Sequence, residues 1–284
     1  MSQYRKVLAM QSGQPTSDGA GVKLTRVFGG PGVEAFDPFL MLDEFGSDKA
    51  DDYIAGFPPH PHRGFETVTY MLEGRMRHED HMGNVGLLQG GGVQWMTAAR
   101  GVIHSEMPEQ EEGVMRGFQL WLNLPGKSKM GDAGYDDIQP ERIPRITTQN
   151  GVDVVVIAGL FDDGQVQQAG AVQRPDTEPQ YFDLHIPAGQ SVSPKVPEGH
   201  RVLLYVYEGE VAIAGQPQKL GTSRLARLSE NGELQLSASV DTKVLLIAGK
   251  PLGEPIVQYG PFVMNTREEI EQALRDFRDD KLTA

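Results

Sequence analysis

Cysteine is absent from the 284 residues. Its absence excludes disulfides, thiolate nucleophiles, iron–sulfur clusters and zinc-finger sites. No apolar run approaches the ~18 residues that a membrane helix needs. Residues 1–19 hold neither a signal-type apolar stretch nor an Arg-rich, acid-poor transit pattern, so a cytoplasmic protein without membrane contact is expected. Positive charge is scarce: 26 Lys and Arg stand against 39 Asp and Glu, a net charge of −13. This balance argues against direct nucleic-acid binding. Familiar nucleotide and nucleophile motifs are missing as well. Gly126-Lys127-Ser128 ends like a phosphate-binding loop, but Trp121 stands where its first Gly is required. No Gly-x-Ser-x-Gly turn occurs, and Gly29-Gly30 and Gly90-Gly91-Gly92 lack a dinucleotide fingerprint.

Turn residues are plentiful, with 34 Gly and 19 Pro. Between them lie short alternating segments. Val68, Tyr70 and Leu72 point one way, and Thr67, Thr69 and Met71 the other. Phe118, Leu120 and Leu122 alternate with Gln119, Trp121 and Asn123 in the same manner. Many short strands of this kind predict an all-β barrel or sandwich. The exception is the end of the chain. Thr266-Arg267-Glu268-Glu269 has the form of a capping box, and Ile270, Ala273, Leu274 and Phe277 follow at helical spacing. A short amphipathic helix that covers a barrel end is expected there.

Residues 124–148 show no strand pattern and are expected to form a linker or excursion near the middle of the chain. Thr69–Gly74 and Leu204–Gly209 share Tyr, Glu and Gly in register, which suggests a duplicated β domain.

Five of the seven histidines fall between positions 60 and 104. His60-Pro61-His62 and His104-Ser105-Glu106 each place two potential ligands on one face of an extended strand. Pro61 cannot donate to a ladder, so the first pair is expected at a strand start or edge. The intervening residues leave room to bring the two pairs across a barrel interior from each other. Three imidazoles and a carboxylate suit one divalent transition metal (Fe, Mn, Ni, Cu or Zn) rather than Mg²⁺ or Ca²⁺. His78 and His81 are expected at an exposed hairpin tip, and His185 as a satisfied core or rim residue. His200 stands alone.

The segment Gly56–Val68, with His60-Pro61-His62-Arg63-Gly64-Phe65-Glu66, resembles the first motif of the pirin family. Gln94–Pro108, ending in Gly101-Val102-Ile103-His104-Ser105-Glu106-Met107-Pro108, resembles its second motif. Phe118–Leu124 and Asp37–Phe45 are similar to flanking pirin segments. The resemblance implies two cupin barrels (double-stranded β-helix, jelly-roll-like) with a short C-terminal helix. It implies a metal-binding domain over residues 1–135, and a second domain over 136–284 whose metal site is lost. Indeed, no His-x-Glu pair follows position 150, and the repeat offset carries His60 and His62 onto Lys195 and Pro197.

The family pattern implies His60, His62, His104 and Glu106 as metal ligands, with Fe(II) the first choice of metal and Glu66 behind the ligands. It also implies quercetin 2,3-dioxygenase-type activity on a flavonol-like substrate and O₂, with Glu106 as the base. The alternative implied is an iron-dependent regulator that binds a transcription factor or metabolic enzyme. Phe57, Phe65, Trp95 and Met96 are available as pocket lining or as core. Arg63 is expected in a surface salt bridge.

Overall fold

The computed structural model describes residues 3–30 and 36–284. Contacts divide the chain into two compact units that do not follow chain order. One comprises Gln14–Pro140 and Leu252–Ala284, the other Met1–Gly13 and Glu141–Pro251. The chain passes from one to the other after Pro140, and each unit also takes in one end of the chain.

Strand β1 (Val7–Ser12) belongs to the second unit. The first unit then runs β2 (Gln14–Asp18), β3 (Val22–Phe28), β4 (Phe39–Ser47), β5 (Phe57–His62), β6 (Phe65–Glu73), β7 (Arg75–Asp80) and β8 (Val85–Gln89). It continues with β9 (Val93–Thr97), β10 (Val102–Pro108), β11 (Met115–Asn123) and β12 (Gly134–Ile138). The second unit resumes with β13 (Arg145–Thr147), β14 (Asp153–Ala158), β15 (Leu160–Asp162), β16 (Gln167–Ala169), β17 (Gln180–Ile186) and β18 (Ser191–Val192). It ends with β19 (Arg201–Glu208), β20 (Glu210–Ile213), β21 (Leu220–Gly221), β22 (Arg224–Leu228), β23 (Leu236–Ala238) and β24 (Thr242–Gly249). Finally β25 (Val257–Tyr259), β26 (Phe262–Met264) and α1 (Arg267–Arg278) return to the first unit.

The all-β expectation holds, and the duplication is visible in the topology. The large sheets run β12-β9-β6-β11-β4-β3-β2 and β1-β22-β19-β24-β17-β14-β13. The small sheets run β5-β10-β7-β8 and β18-β23-β20-β21. The repeated Tyr–Glu–Gly segment falls at the same place in each: β6 turns into β7 through Gly74, and β19 into β20 through Gly209. Both glycines have positive φ, 90° and 78°, a region open to glycine at no steric cost. β1 occupies the position that β12 holds in the other sheet, which explains why the first strand joins the second unit. It pairs with β22 as β12 pairs with β9.

Each unit buries apolar side chains from both of its sheets. In the first, Val22, Leu24, Phe45, Met71 and Met115 of the large sheet meet Met76 and Leu88 of the small one. In the second, Val154, Phe182, Leu204 and Leu246 meet Val192, Val211, Ile213 and Leu236. Each such fully buried side chain contributes roughly 1.5–3 kcal/mol of transfer free energy.

Residues 124–148 are not without strands, contrary to expectation. β12 and β13 form there because backbone groups extend the edges at β9 and β14, without an alternating side-chain pattern to announce them. The C-terminal helix has its predicted capping box. Thr266 Oγ1 accepts from Glu269 N at 3.2 Å, and Glu269 Oε2 accepts from Thr266 N at 2.9 Å. Its buried residues are Ile270 and Ala273, packed with Phe262, Met264 and Ile103. Leu274 and Phe277 stay 38% and 42% exposed, so the buried stripe is narrower than the spacing suggests. No described helix is long and apolar enough to cross a membrane.

Candidate metal centre

β5 is the edge of its small sheet, as Pro61 requires, and β10 is its neighbour. The two motifs therefore lie side by side, not across the barrel interior. In the ladder His104 is opposite His60, and Val102 opposite His62. Pairing slips by one residue between His104 and Glu106, where β5 carries the extra residue, a bulge of the kind that re-aims side chains near functional sites.

His60, His62 and His104 converge. One ring nitrogen of each lies within 4.8 Å of the other two. His62 and His104 are buried and His60 is half-buried. The hydrogen bonds decide which nitrogens face the centre. His60 Nδ1 donates to the Pro58 carbonyl at 2.8 Å, which leaves Nε2. His62 Nδ1 is buried without a hydrogen-bond partner. His104 Nδ1 meets His78 Nδ1 at 3.3 Å, and His104 Nε2 is buried without a partner. Burial pushes the His62 and His104 rings well below the ordinary histidine range, and their neighbouring histidines add to the effect. Neutral imidazoles with orphaned buried nitrogens are what a transition metal requires, so the donor set fits such an ion.

Glu106 follows His104 on the same buried face of β10 but is not one of the converging group. Thr69 Oγ1 donates to its Oε1 at 3.1 Å, and Gln119 Nε2 to its Oε2 at 2.9 Å. Trp121 Nε1 donates in turn to Gln119 Oε1 at 3.2 Å, which orients that amide. Both Glu106 oxygens thus act as acceptors, the arrangement suited to an ionised carboxylate. Glu66 is also apart from the three histidines; it is buried and accepts from Thr97 Oγ1 at 2.6 Å.

Several other expectations change. His78 is not in an exposed turn. β7 runs on to Asp80, which buries His78 against His104, while His81 alone lies in the exposed turn. The signal was the alternation of Met76 and His78 with Arg75, Arg77 and Glu79. Arg63 is not on the surface but 3% exposed. Its guanidinium donates to the carbonyls of Arg100 and Leu282 and pairs with Asp276 at 2.7 Å. His185 is satisfied at the rim by Asp183 at 3.0 Å. His200 is buried, with Nε2 3.6 Å from Glu178.

A cavity of about 1120 Å³ opens beside the histidines. His60, His62 and Gln119 give it a polar wall, and Phe57, Trp121 and Ile256 an apolar one. Of the four candidate lining residues only Phe57 borders it. Phe65, Trp95 and Met96 are core, each 1% exposed or less. Where the first unit has β5 and β10, the second has β18 and β23. These carry Ser191-Val192 and Leu236-Ser237-Ala238, of which Val192, Leu236 and Ala238 belong to the aliphatic core.

Known proteins place this arrangement in context. Residues 21–122 match the family model described as Pirin, and residues 181–283 the Pirin C-terminal cupin domain. A Pseudomonas aeruginosa protein named "Putative quercetin 2,3-dioxygenase" is 69% identical over 283 residues, covering 99% of each chain. Pirin of Homo sapiens is 40% identical over 287 residues, covering 99% of this chain and 95% of that one. The crystal structure of a quercetin 2,3-dioxygenase from Acinetobacter baumannii superposes with a TM-score of 0.89 at 35% identity, covering 99% of both chains. Both barrels are thus accounted for by one lineage, and the chain belongs to the pirin family of the cupins.

Proposed function

We propose that this protein is a metal-dependent dioxygenase of the quercetin 2,3-dioxygenase type, which cleaves a flavonol-like substrate with O₂ to a depside and carbon monoxide. The observation that carries this reading is the trio of converging histidines, two of them with orphaned buried nitrogens, beside a cavity large enough for an aromatic ligand. His60, His62 and His104 would hold the ion, with Glu106 as the fourth ligand and Fe(II) as its first candidate; Mn, Ni, Cu or Zn suit the same donors. When bound, such a metal supplies a Lewis-acidic anchor for the 3-hydroxyl oxygen and a centre for O₂ chemistry.

The chain's own residues do the rest. Phe57, Trp121 and Ile256 offer apolar surface to the flavonol rings and keep water from them. The Glu106 carboxylate takes the 3-hydroxyl proton as general base, and the hydrogen bonds from Thr69 and Gln119 aim it. The second barrel contributes structure, not a second metal. The names of the Pseudomonas and Acinetobacter relatives support this assignment. A cytoplasmic location is part of the same reading.

Oxygen uptake tests it. Protein reconstituted anaerobically with Fe(II) is mixed with quercetin, with His104→Ala as the control. The expected result is one O₂ consumed for each flavonol lost, and no uptake by the variant. No uptake by fully metallated protein, with Fe(II) and then with Mn, Ni and Cu, would turn the assignment to a metal-dependent regulator that acts through a protein partner.

A further inference from the structure

His78 lies outside the group of three histidines, yet its Nδ1 is 3.3 Å from His104 Nδ1. Two ring nitrogens at hydrogen-bond distance share one proton, so one ring donates and the other accepts. The other nitrogen of His104, Nε2, is the orphan that faces the centre. A metal-bound imidazole nitrogen carries no proton, so His104 must keep its proton on Nδ1. We infer that His78 is a positioning residue: its unprotonated Nδ1 accepts the Nδ1–H of His104 and fixes the tautomer and ring angle that present His104 Nε2 to a metal. This rests on the metal reading above and adds to it the residue that sets one ligand's orientation.

The fold holds His78 in place for this purpose. β7 pairs with β10 so that His78 is opposite Glu106 and diagonal to His104, within cross-strand reach. Its ring is 2% exposed and packs on Tyr135 at 5.0 Å between centroids. The His78 tautomer that accepts at Nδ1 carries its own proton on Nε2, a buried atom with no hydrogen-bond partner among the described residues. Leaving a donor unpaired costs free energy. Nε2 stays unpaired in either tautomer of His78, so the direction of the bond is set by His104, whose Nδ1 must carry the proton if its Nε2 is to face a metal. An outer partner of this kind generally accompanies a ligating histidine.

The test compares wild type, His78→Asn and His78→Leu. Asn places an acceptor oxygen close to the position of Nδ1, and Leu fills space without one. Folded protein, verified by circular dichroism, is titrated with Co(II) against a competing chelator, and the visible Co(II) spectrum is recorded. We expect His78→Leu to bind Co(II) about 10- to 100-fold more weakly with altered visible bands. His78→Asn should keep near-wild-type affinity and spectrum. Unchanged affinity and spectrum in His78→Leu would overturn the inference. So would a folded His78→Asn as impaired as His78→Leu, because the ring would then matter for packing alone. Should His78→Leu not fold, His78→Asn decides alone: near-wild-type Co(II) affinity and spectrum support the inference, and a loss of about 10-fold or more overturns it. A wild type that binds no Co(II) would instead overturn the metal reading, and this inference with it.

Discussion

His60 and His104 stand directly opposite each other in the β5–β10 ladder, with ring centroids 4.4 Å apart. Strand pairing, not loop placement, thus sets their separation. A site built on a ladder is pre-organised: its ligands need little rearrangement to meet an ion.

The first expected outcome concerns this pair. His104→Ala should lose most bound metal after loading with Ni(II) and desalting, measured by elemental analysis. Ni(II) should raise the melting temperature of the wild type and not of the variant, since a ligand that binds only the native state stabilises it. Full occupancy in the variant would reject the centre.

Glu106 separates chemistry from binding. Glu106→Gln keeps the shape but removes the charge that Thr69 and Gln119 now satisfy. Flavonol turnover should fall about 10²–10⁴-fold, the usual worth of a general base, while metal content falls much less. Proportional losses would make Glu106 a ligand and no base.

Arg63 predicts stability rather than activity. Arg63→Leu strips partners from the Asp276 carboxylate and from the carbonyls of Arg100 and Leu282. Breaking a buried, multiply bonded charge pair is expensive, and about 2–4 kcal/mol should be lost, because Asp276 remains 19% exposed. Arg63→Lys should recover only part, as an ammonium cannot reproduce the planar fork. Urea denaturation measures both, and a Leu variant within 0.5 kcal/mol (roughly the scatter of neutral surface changes) would refute the assignment.

His200 gives a pH signature in the second barrel. Burial lowers its pKa below the ordinary 6.5, outweighing the opposing effect of Glu178. Below pH 6.5 the unfolded chain therefore binds a proton that the folded one does not, so stability should fall as the pH drops from 6.5. The slope from this one group is at most about 1.4 kcal/mol per pH unit. Chemical denaturation at pH 5.5 and 7.5 should show a smaller difference for His200→Gln than for wild type. Equal differences would mean that His200 protonates as freely in the folded barrel as in the open chain.

Local signals in the sequence carried over well. The His-x-His edge strand, the Thr266 capping box and the paired Glu-Gly turns each depend on residues a few positions apart, and each stands in the structure. What the sequence did not show depends on distant partners. β12 exists because β9 offers it an edge. Arg63 is buried because Asp276 and Leu282 return to it from the far end of the chain. The His60/His62 and His104/Glu106 pairs are neighbours because β5 and β10 pair, a matter of register that spacing leaves open. The burial of His78 is legible in the alternation of Met76 and His78 with Arg75, Arg77 and Glu79, which extends β7 to Asp80 and leaves only His81 to the turn.

The exchange of chain ends between the two units also sets an order of events during synthesis. Most of the barrel that carries the histidines is encoded before β13–β24, yet it lacks β25, β26 and α1 until residues beyond Leu252 have been made. By then the whole of β13–β24 has been synthesised. A fragment of residues 1–135 therefore lacks three elements of the histidine unit, and Asp276, the partner of Arg63, is still unmade when the histidines appear. The histidine barrel waits for the segment that follows β24, so the histidines and the partners of Arg63 come together only after β13–β24 have been made.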